Sequence, residues 1–214
     1  MKDALAQGLA ALGLPLSAHQ QQQLLDYLAL IAKWNRVYNL TAVRDPHEML
    51  THHLLDSLAA VPPLQHHIAQ HGSQTLLDVG SGAGLPGVVF AICLPALRVD
   101  CVDTVGKKAA FIQQAAAALD LPHLQGLHKR VEKLETRYDI IGSRAFASLH
   151  DFTRWSAHAL AERGVWMALK GKPPHQEIAA LPPTVRVLRI QPLTVPQLAA
   201  ERCIVWMQPA QAPV

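Results

Sequence analysis

Gly80, Gly82 and Gly84 stand at every second position, two residues after Asp78 and just before Leu85 and Pro86. Glycines in such a turn let the backbone bend tightly and approach a ligand with no Cβ in the way. Pro86 pre-sets the first turn of a helix whose free N–H groups face the same site. A dinucleotide fingerprint, G-x-G-x-x-G, would need glycine at position 85, and that residue is Leu85. An acid ahead of the first glycine suits an amino-acid moiety or a sulfonium better than a pyrophosphate. The spacing Asp78-x-Gly80-x-Gly82-x-Gly84 therefore points to S-adenosylmethionine. A nicotinamide or flavin cofactor, and a plain tight turn, are the alternatives.

Asp103 ends a second apolar run, Val99–Asp103, where an acid can meet a ribose hydroxyl pair. Its carboxylate accepts two O–H donors from any nucleoside, so it does not choose between cofactors. Asp100 alternates with it and reads as an exposed strand residue. Other chemistries are poorly supplied. There is no G-x-S-x-G elbow, and Cys101 reads as a strand core residue. His47-Glu48 begins like H-E-x-x-H, but Thr51 occupies the second histidine position. His67 and His71 have i,i+4 spacing with no thiol or acid cluster beside them, so no metal is expected.

Such residues need a scaffold that brings them to one edge. From Thr75 onward, short apolar runs alternate with helical stretches. They are Leu76–Val79, a helix from Pro86, Val99–Val102, a helix from Lys107, Leu124–Leu127, Ile140–Ile141, a helix near Phe152–Leu160, and Val165–Leu169. Continuous apolar strands predict a mostly parallel sheet covered on both faces. Val185–Ile190 and Cys203–Met207 close the chain with no crossover helix between them, so an antiparallel last pair is expected. The fold class is thus α/β, a doubly wound, Rossmann-like sheet. Residues 1–72 show helical periodicity instead. Ser17 is the expected N-cap of a stripe formed by Leu24, Leu28 and Ile31 with Leu25 and Trp34. After a break at Asn39–Pro46, a second stripe runs through Leu50, Leu54 and Leu58 and is expected to end at Pro62-Pro63. The expected division is a helical extension, 1–72, on a compact core, 73–214.

Half of the 214 residues are hydrophobic and 16% are charged, which suits one full core. No apolar run is long enough to span a membrane, and the start lacks a secretion pattern. Cys93, Cys101 and Cys203 are isolated and read as reduced core thiols of a cytoplasmic protein. The formal charge of +3 mildly favours an anionic partner. Its distribution says more: Lys107, Lys108, Lys129, Arg130, Arg144, Lys170 and Lys172 fall at or just beyond strand-like segments. They read either as phosphate contacts around a site or as solvated surface. Nothing demands more than a monomer.

Several blocks in order resemble the bacterial small-subunit ribosomal RNA methyltransferase G family, also called the glucose-inhibited division protein B family. They are Lys33-Trp-Asn-Arg-Val-Tyr-Asn-Leu-Thr41, His53-Leu-Leu-Asp-Ser57, Asp78–Gly87, Asp103-Thr-Val-Gly-Lys-Lys108, Ser143-Arg-Ala-Phe-Ala-Ser148 and Ala168-Leu-Lys-Gly-Lys172. The resemblance runs from about Leu24 to Met207. It implies a class I S-adenosylmethionine-dependent methyltransferase that modifies N7 of a guanosine in a loop of 16S rRNA, in the decoding region of the small ribosomal subunit. It also implies cofactor contacts at Gly80, Leu85, Val131, Glu132 and Arg144. Ala83 stands where the family more often has proline, and His52 where a basic residue is common.

Guanine N7 carries an in-plane lone pair and no proton, so its methylation needs no general base. Consistent with that, Ser143-Arg-Ala-Phe146 stands where amino-group methyltransferases carry an Asn/Asp-Pro-Pro-Tyr run. Arg144 is the candidate for a catalytic contribution, and Phe146 either stacks on a base or packs. N7 lies in the deep groove of A-form RNA, so the target is expected in a loop or splayed from its stack. Lys107, Lys108, Lys129, Arg130, Lys170 and Lys172 would then contact phosphates. Trp34, Asn35, Tyr38 and Asn39 serve either structure or RNA. His53 and Asp56 form either a cap over the site or a buried pair. Two other functions stay open: a small-metabolite methyltransferase, and a non-catalytic RNA-binding assembly factor.

Overall fold

A computed structural model describes residues 1–210; the expected end of the core, at 214, lies outside the described residues. The chain opens with α1 (Lys2–Ala11) and α2 (Ala18–Tyr38). Ser17 Oγ accepts the Gln20 N–H at 3.1 Å while the Gln20 side chain accepts the Ser17 N–H at 3.0 Å. This reciprocal cap starts α2 where the sequence predicts it. Asn39 ends the helix in the left-handed region, at φ 49°. Asp45 then caps α3 (Pro46–Met49), which runs through a π-helical turn, Leu50–Leu55, into α4 (Asp56–Leu58). The pair Pro62-Pro63 does not end that helix; both prolines lie in the first turn of α5 (Val61–His71). Proline lacks only an N–H that a first turn leaves unpaired anyway, so it opens a helix more readily than it closes one.

The core is a seven-stranded sheet in the order β3-β2-β1-β4-β5-β7-β6. Its strands are β1 (Thr75–Val79), β2 (Arg98–Asp103), β3 (Leu124–His128), β4 (Tyr138–Arg144), β5 (Leu160–Lys170), β6 (Val185–Leu193) and β7 (Arg202–Pro209). Strands β1 to β5 pair in parallel; β7 runs antiparallel to both β5 and β6, as the missing crossover predicts. Helices α6 (Gly87–Cys93), α7 (Gly106–Ala118) and α8 (Leu149–Ser156) connect the parallel strands, and α9 (His175–Ala179) follows β5.

Alternate residues of the central strands point to opposite layers. Leu76, Ile140, Met167 and Trp206 join a large cluster with α6, α7 and the amino-terminal helices. Leu77, Ile141, Trp166 and Val205 face α8 and form the second cluster. Leu5, Leu24, Ile31 and Leu54 belong to the first cluster, so the helices of residues 1–72 share the core of the sheet.

The helix expected near Phe152–Leu160 is α-helical to Ser156 and continues as a 3-10 turn, Ala157–Ala159, up to the start of β5 at Leu160. Thr153 and Ser156 hydroxyls bond back to the Leu149 and Phe152 carbonyls, and Ser156 Oγ also accepts Trp166 Nε1–H at 2.9 Å. Asp100 is not exposed: only 2% of its surface is accessible. It accepts from the Tyr138 hydroxyl at 2.7 Å and from Arg98 at 2.9 Å. A carboxylate on a covered face needs such donors; here one comes from its own strand and the other from β4, two strands away.

Candidate active site

Strand order reverses between β1 and β4, and ligands of doubly wound sheets lie outside the carboxyl ends of the strands at that point. Here β1 gives way to the glycine loop and β4 ends on Arg144. The loop is tied on every side. Gly80 N–H donates to the Val102 carbonyl at 2.9 Å, and Leu85 N–H to the Ser81 carbonyl at 3.0 Å. Gly80, Gly82 and Gly84 adopt φ of 68°, 59° and 88°, which side chains with a Cβ rarely take. From the helical layer, the Tyr27 hydroxyl donates to the Ala83 carbonyl at 2.6 Å. Asp103 bridges the strand end to the loop: Oδ2 accepts the Gly82 N–H at 3.0 Å and Oδ1 the Val105 N–H at 2.8 Å.

Two cavities, about 720 and 420 Å³, lie on either side of this loop and share Gly80 and Ala145. The larger is walled by Gly82, Leu85 and Arg144, by Lys170 of β5, and by His53 and Asp56 of the amino-terminal helices. The smaller is walled by Asp103, Val131 and Glu132, with Lys108, Lys129 and Arg130 at its edge. Lys107 and Lys172 are exposed and line neither.

Asp78 and Gly84 also line neither cavity, unlike the ligand contacts the spacing predicts. Asp78 lies beneath the loop, 1% exposed, with Oδ2 accepting the Gly87 N–H at 2.9 Å and Oδ1 unpartnered. Burial pushes its carboxyl up to about 7, and the Gly87 N–H pulls the other way. Its short side chain points to the start of α6, so it braces the loop from behind. Gly84 is a packing glycine: a Cβ there would meet Val88 Cγ2 at 2.5 Å.

In the larger cavity, Asp56 lies between two arginines. Its Oδ2 accepts from Arg144 at 2.7 Å and its Oδ1 from Arg202 at 2.6 Å. Arg144 also donates to the His52 carbonyl at 3.2 Å. His53 and Asp56 are therefore cavity-wall residues whose partners lie elsewhere: His53 Nε2 pairs with Thr41 Oγ1 at 2.9 Å. Burial, helped by the Arg144 charge, pushes the His53 pKa down to about 4, so its ring is neutral at pH 7. Lys170 is held by Glu177 at 2.9 Å and by the Ala147 carbonyl at 3.2 Å. Phe146 packs edge-on against Phe152 and Trp155 and closes over Gly80, where a Cβ would come within 2.2 Å of its ring.

The residues fit an elongated ligand with an amino-acid end and a nucleoside end. The adjoining cavities meet at a glycine. A Cβ on Gly82 would meet nothing within 4 Å, so the loop faces open space there. Asp103 offers a carboxylate to the smaller cavity, as a ribose requires, and Arg144 offers a guanidinium to the larger, as an amino-acid carboxylate requires.

The family model described as rRNA small subunit methyltransferase G matches residues 20–205. The chain belongs to this family. A relative of that name from Acidovorax sp. (strain JS42) is 64% identical, covering 96% of this chain and 94% of its own. Another, from Polaromonas sp. (strain JS666 / ATCC BAA-500), is 66% identical over 94% of this chain and 90% of its own. Among solved structures, the N-methyltransferase NodS from Bradyrhizobium japonicum WM9, in complex with S-adenosyl-L-homocysteine, superposes with TM-score 0.58 at 11% identity. It covers 84% of this chain and 100% of that one, and shares the class I methyltransferase fold.

Several residues of the site escape sequence reasoning. No motif or spacing in the sequence singles out Tyr27 or Arg202. Glu177 lies in a short helix that periodicity does not reveal. Only contacts across the fold give them their roles.

Proposed function

We propose that this chain transfers the methyl group of S-adenosylmethionine to N7 of a guanosine in 16S rRNA of the small ribosomal subunit. The observation that carries the reading is the pair of cavities meeting at Gly80 and Ala145, with Asp103 lining the smaller and Arg144 the larger. S-adenosylmethionine supplies a methyl group activated by a sulfonium centre. Gly80, Leu85 and Arg144 hold its amino-acid side; Asp103, Val131 and Glu132 hold its nucleoside side. Asp78, Gly84 and Tyr27 act one step back, by fixing the loop.

The acceptor needs no base. Asp56 is engaged by two arginines, and His53 is a neutral ring bonded to Thr41. What the protein contributes is orientation: a loop pinned by Tyr27, Asp78 and Asp103, and a fixed Arg144. Holding two reactants in place can lower a barrier by several kcal/mol, about 7–11 in favourable cases. Exposed Lys107, Lys129, Arg130 and Lys172 act as phosphate contacts, with Lys108 and Lys170 closer in. The protein works in the cytoplasm as a monomer, with residues 1–72 as a helical extension built into the core.

Calorimetric titration with S-adenosylhomocysteine tests the cofactor reading, and absence of binding by folded protein overturns it. Incubating unmodified small subunits with enzyme and donor, then mapping aniline-induced strand scission at N7-methylguanosine, tests the product. Methyl transfer to a base amino group instead would refute the N7 assignment.

A further inference from the structure

The carboxyl-terminal end of α2 carries an exposed surface that the cavities do not use. Val37 is 71% exposed and Tyr38 39%, two of the few large apolar side chains left to solvent. Helix spacing places Trp34 and Tyr38 one turn apart, beside the strip that holds Lys33 and Val37. The Tyr38 ring is backed rather than loose: it lies 5.2 Å from Trp34, which packs edge-on to Phe111 at 5.4 Å. An aromatic platform is thus anchored through the helical layer to α7.

Three cations lie close to it along the chain. Lys33, Arg36 and Arg44 are exposed, and no acid occurs between positions 33 and 44. Among the described residues, none of the three forms an ion pair or a side-chain hydrogen bond. The contrast with the cavity is informative, because Arg144, Arg202 and Lys170 are each tied to a carboxylate there. Nearby Asp45 is occupied in capping α3, through the His47 and Glu48 N–H groups. Leu40, Thr41 and Val43, in the same segment, line the larger cavity. The segment that follows the platform therefore leads into the wall of that cavity.

We propose that the end of α2 and the segment after it form a single-stranded RNA docking surface, in which Tyr38 stacks on an unpaired base and Lys33, Arg36 and Arg44 contact phosphates. This inference rests on the reading of the chain as an rRNA methyltransferase and names a surface that the cavity does not supply. A base next to the target, unstacked when the target enters the cavity, would be received by the ring. Stacking on an aromatic face tolerates any base, so the surface supplies affinity and leaves target choice to the cavity.

The test compares wild type, the triple variant Lys33→Ala/Arg36→Ala/Arg44→Ala, and Tyr38→Ala. Affinity is measured across a salt series for two probes, an unmodified 16S rRNA transcript and unmethylated small subunits. S-adenosylhomocysteine affinity and melting temperature are measured alongside. With its three cations removed, the triple variant should give a slope of log affinity against log salt that is shallower by about 2. Tyr38→Ala should weaken binding about tenfold at every salt concentration. Both variants should keep wild-type affinity for S-adenosylhomocysteine. Unchanged RNA affinity and slope in both variants overturns the proposal. So does a loss confined to subunits, which would assign the surface to a ribosomal protein. Wild-type failure to bind S-adenosylhomocysteine would instead defeat the methyltransferase reading, so the two failures are distinct.

Discussion

Replacing Asp56 with alanine should separate the site's stability from its function. The carboxylate is 6% exposed and spans Arg144 at 2.7 Å and Arg202 at 2.6 Å, joining α4 to the ends of β4 and β7. Hydrogen bonds to charged groups contribute about 1.5–3 kcal/mol each. The arginine side chains are 20% and 26% exposed, so water recovers part of what they lose. A net cost of roughly 2–3 kcal/mol follows, short of that for a fully buried pair. In a chain of this size that lowers the melting temperature by roughly 5–10 °C. Asp56→Asn keeps one acceptor and should lose about half as much. Arg144 would also lose its orientation, so S-adenosylhomocysteine affinity should fall. Asp139→Ala is the control: Asp139 accepts three bonds from Gln74 and Thr75, at the other end of β1. It should destabilise without touching ligand affinity. Differential scanning calorimetry and ligand titration on the three variants decide. If Asp56→Ala melts with wild type, the clamp is not structural; if it melts early but binds normally, Arg144 does not hold the donor.

Glycine replacements divide strain from occupancy. Gly82→Ala and Gly13→Ala both place alanine at a positive φ with nothing within 4 Å, so each should cost about 1–2 kcal/mol in denaturant titrations. Only Gly82→Ala should also weaken S-adenosylhomocysteine binding, and Gly80→Ala, which collides with Phe146, should weaken it more. Equal ligand affinities in the three variants would contradict the cradle. Tyr27→Phe leaves the buried Ala83 carbonyl unpaired and should cost about 1–3 kcal/mol, with a measurable loss of ligand affinity. The pH profile offers a further check. Folded Asp78, raised from 3.8 to about 7, keeps a proton that the unfolded chain releases, so its contribution falls as pH rises through that window. His53 and His67, lowered from 6.5 to about 4, refuse a proton that the unfolded chain takes, so theirs rises with pH up to 6.5. Asp78→Asn removes the falling part, and its stability should climb more steeply from pH 4 to 6.5 than that of wild type. Parallel curves would refute the assignment.

The architecture was legible because each cue was local. The alternation of buried strands and helices, the Ser17 cap and the absence of a crossover before β7 all lie within a few residues of what they determine. Motif spacing and family resemblance also single out Gly80, Asp103 and Val131, and all three line the cavities. Asp78 shows where spacing stops: it reveals an acid beside the loop, and only the fold reveals that the acid faces the helix behind it. Asp100 misleads for a related reason, since strand alternation assumes one wet face and this sheet is covered on both. Asp56 is the hardest case. Its partners lie 88 and 146 residues away, and no period or motif links them.

Those distant links decide how the amino-terminal helices take part. A detachable cap would meet the core through its own surface and leave the glycine loop intact when removed. Here α2 donates the hydrogen bond that fixes Ala83, α4 supplies the carboxylate between Arg144 and Arg202, and the segment between them walls the larger cavity. Leu24 and Ile31 share one apolar cluster with α6 and α7, so burial binds the layers as strongly as these polar ties. The helices are thus a structural part of the site. A core beginning at residue 73 would expose that cluster and release the loop together, and loss of ligand binding in such a fragment would follow from the fold before any contact with RNA is considered.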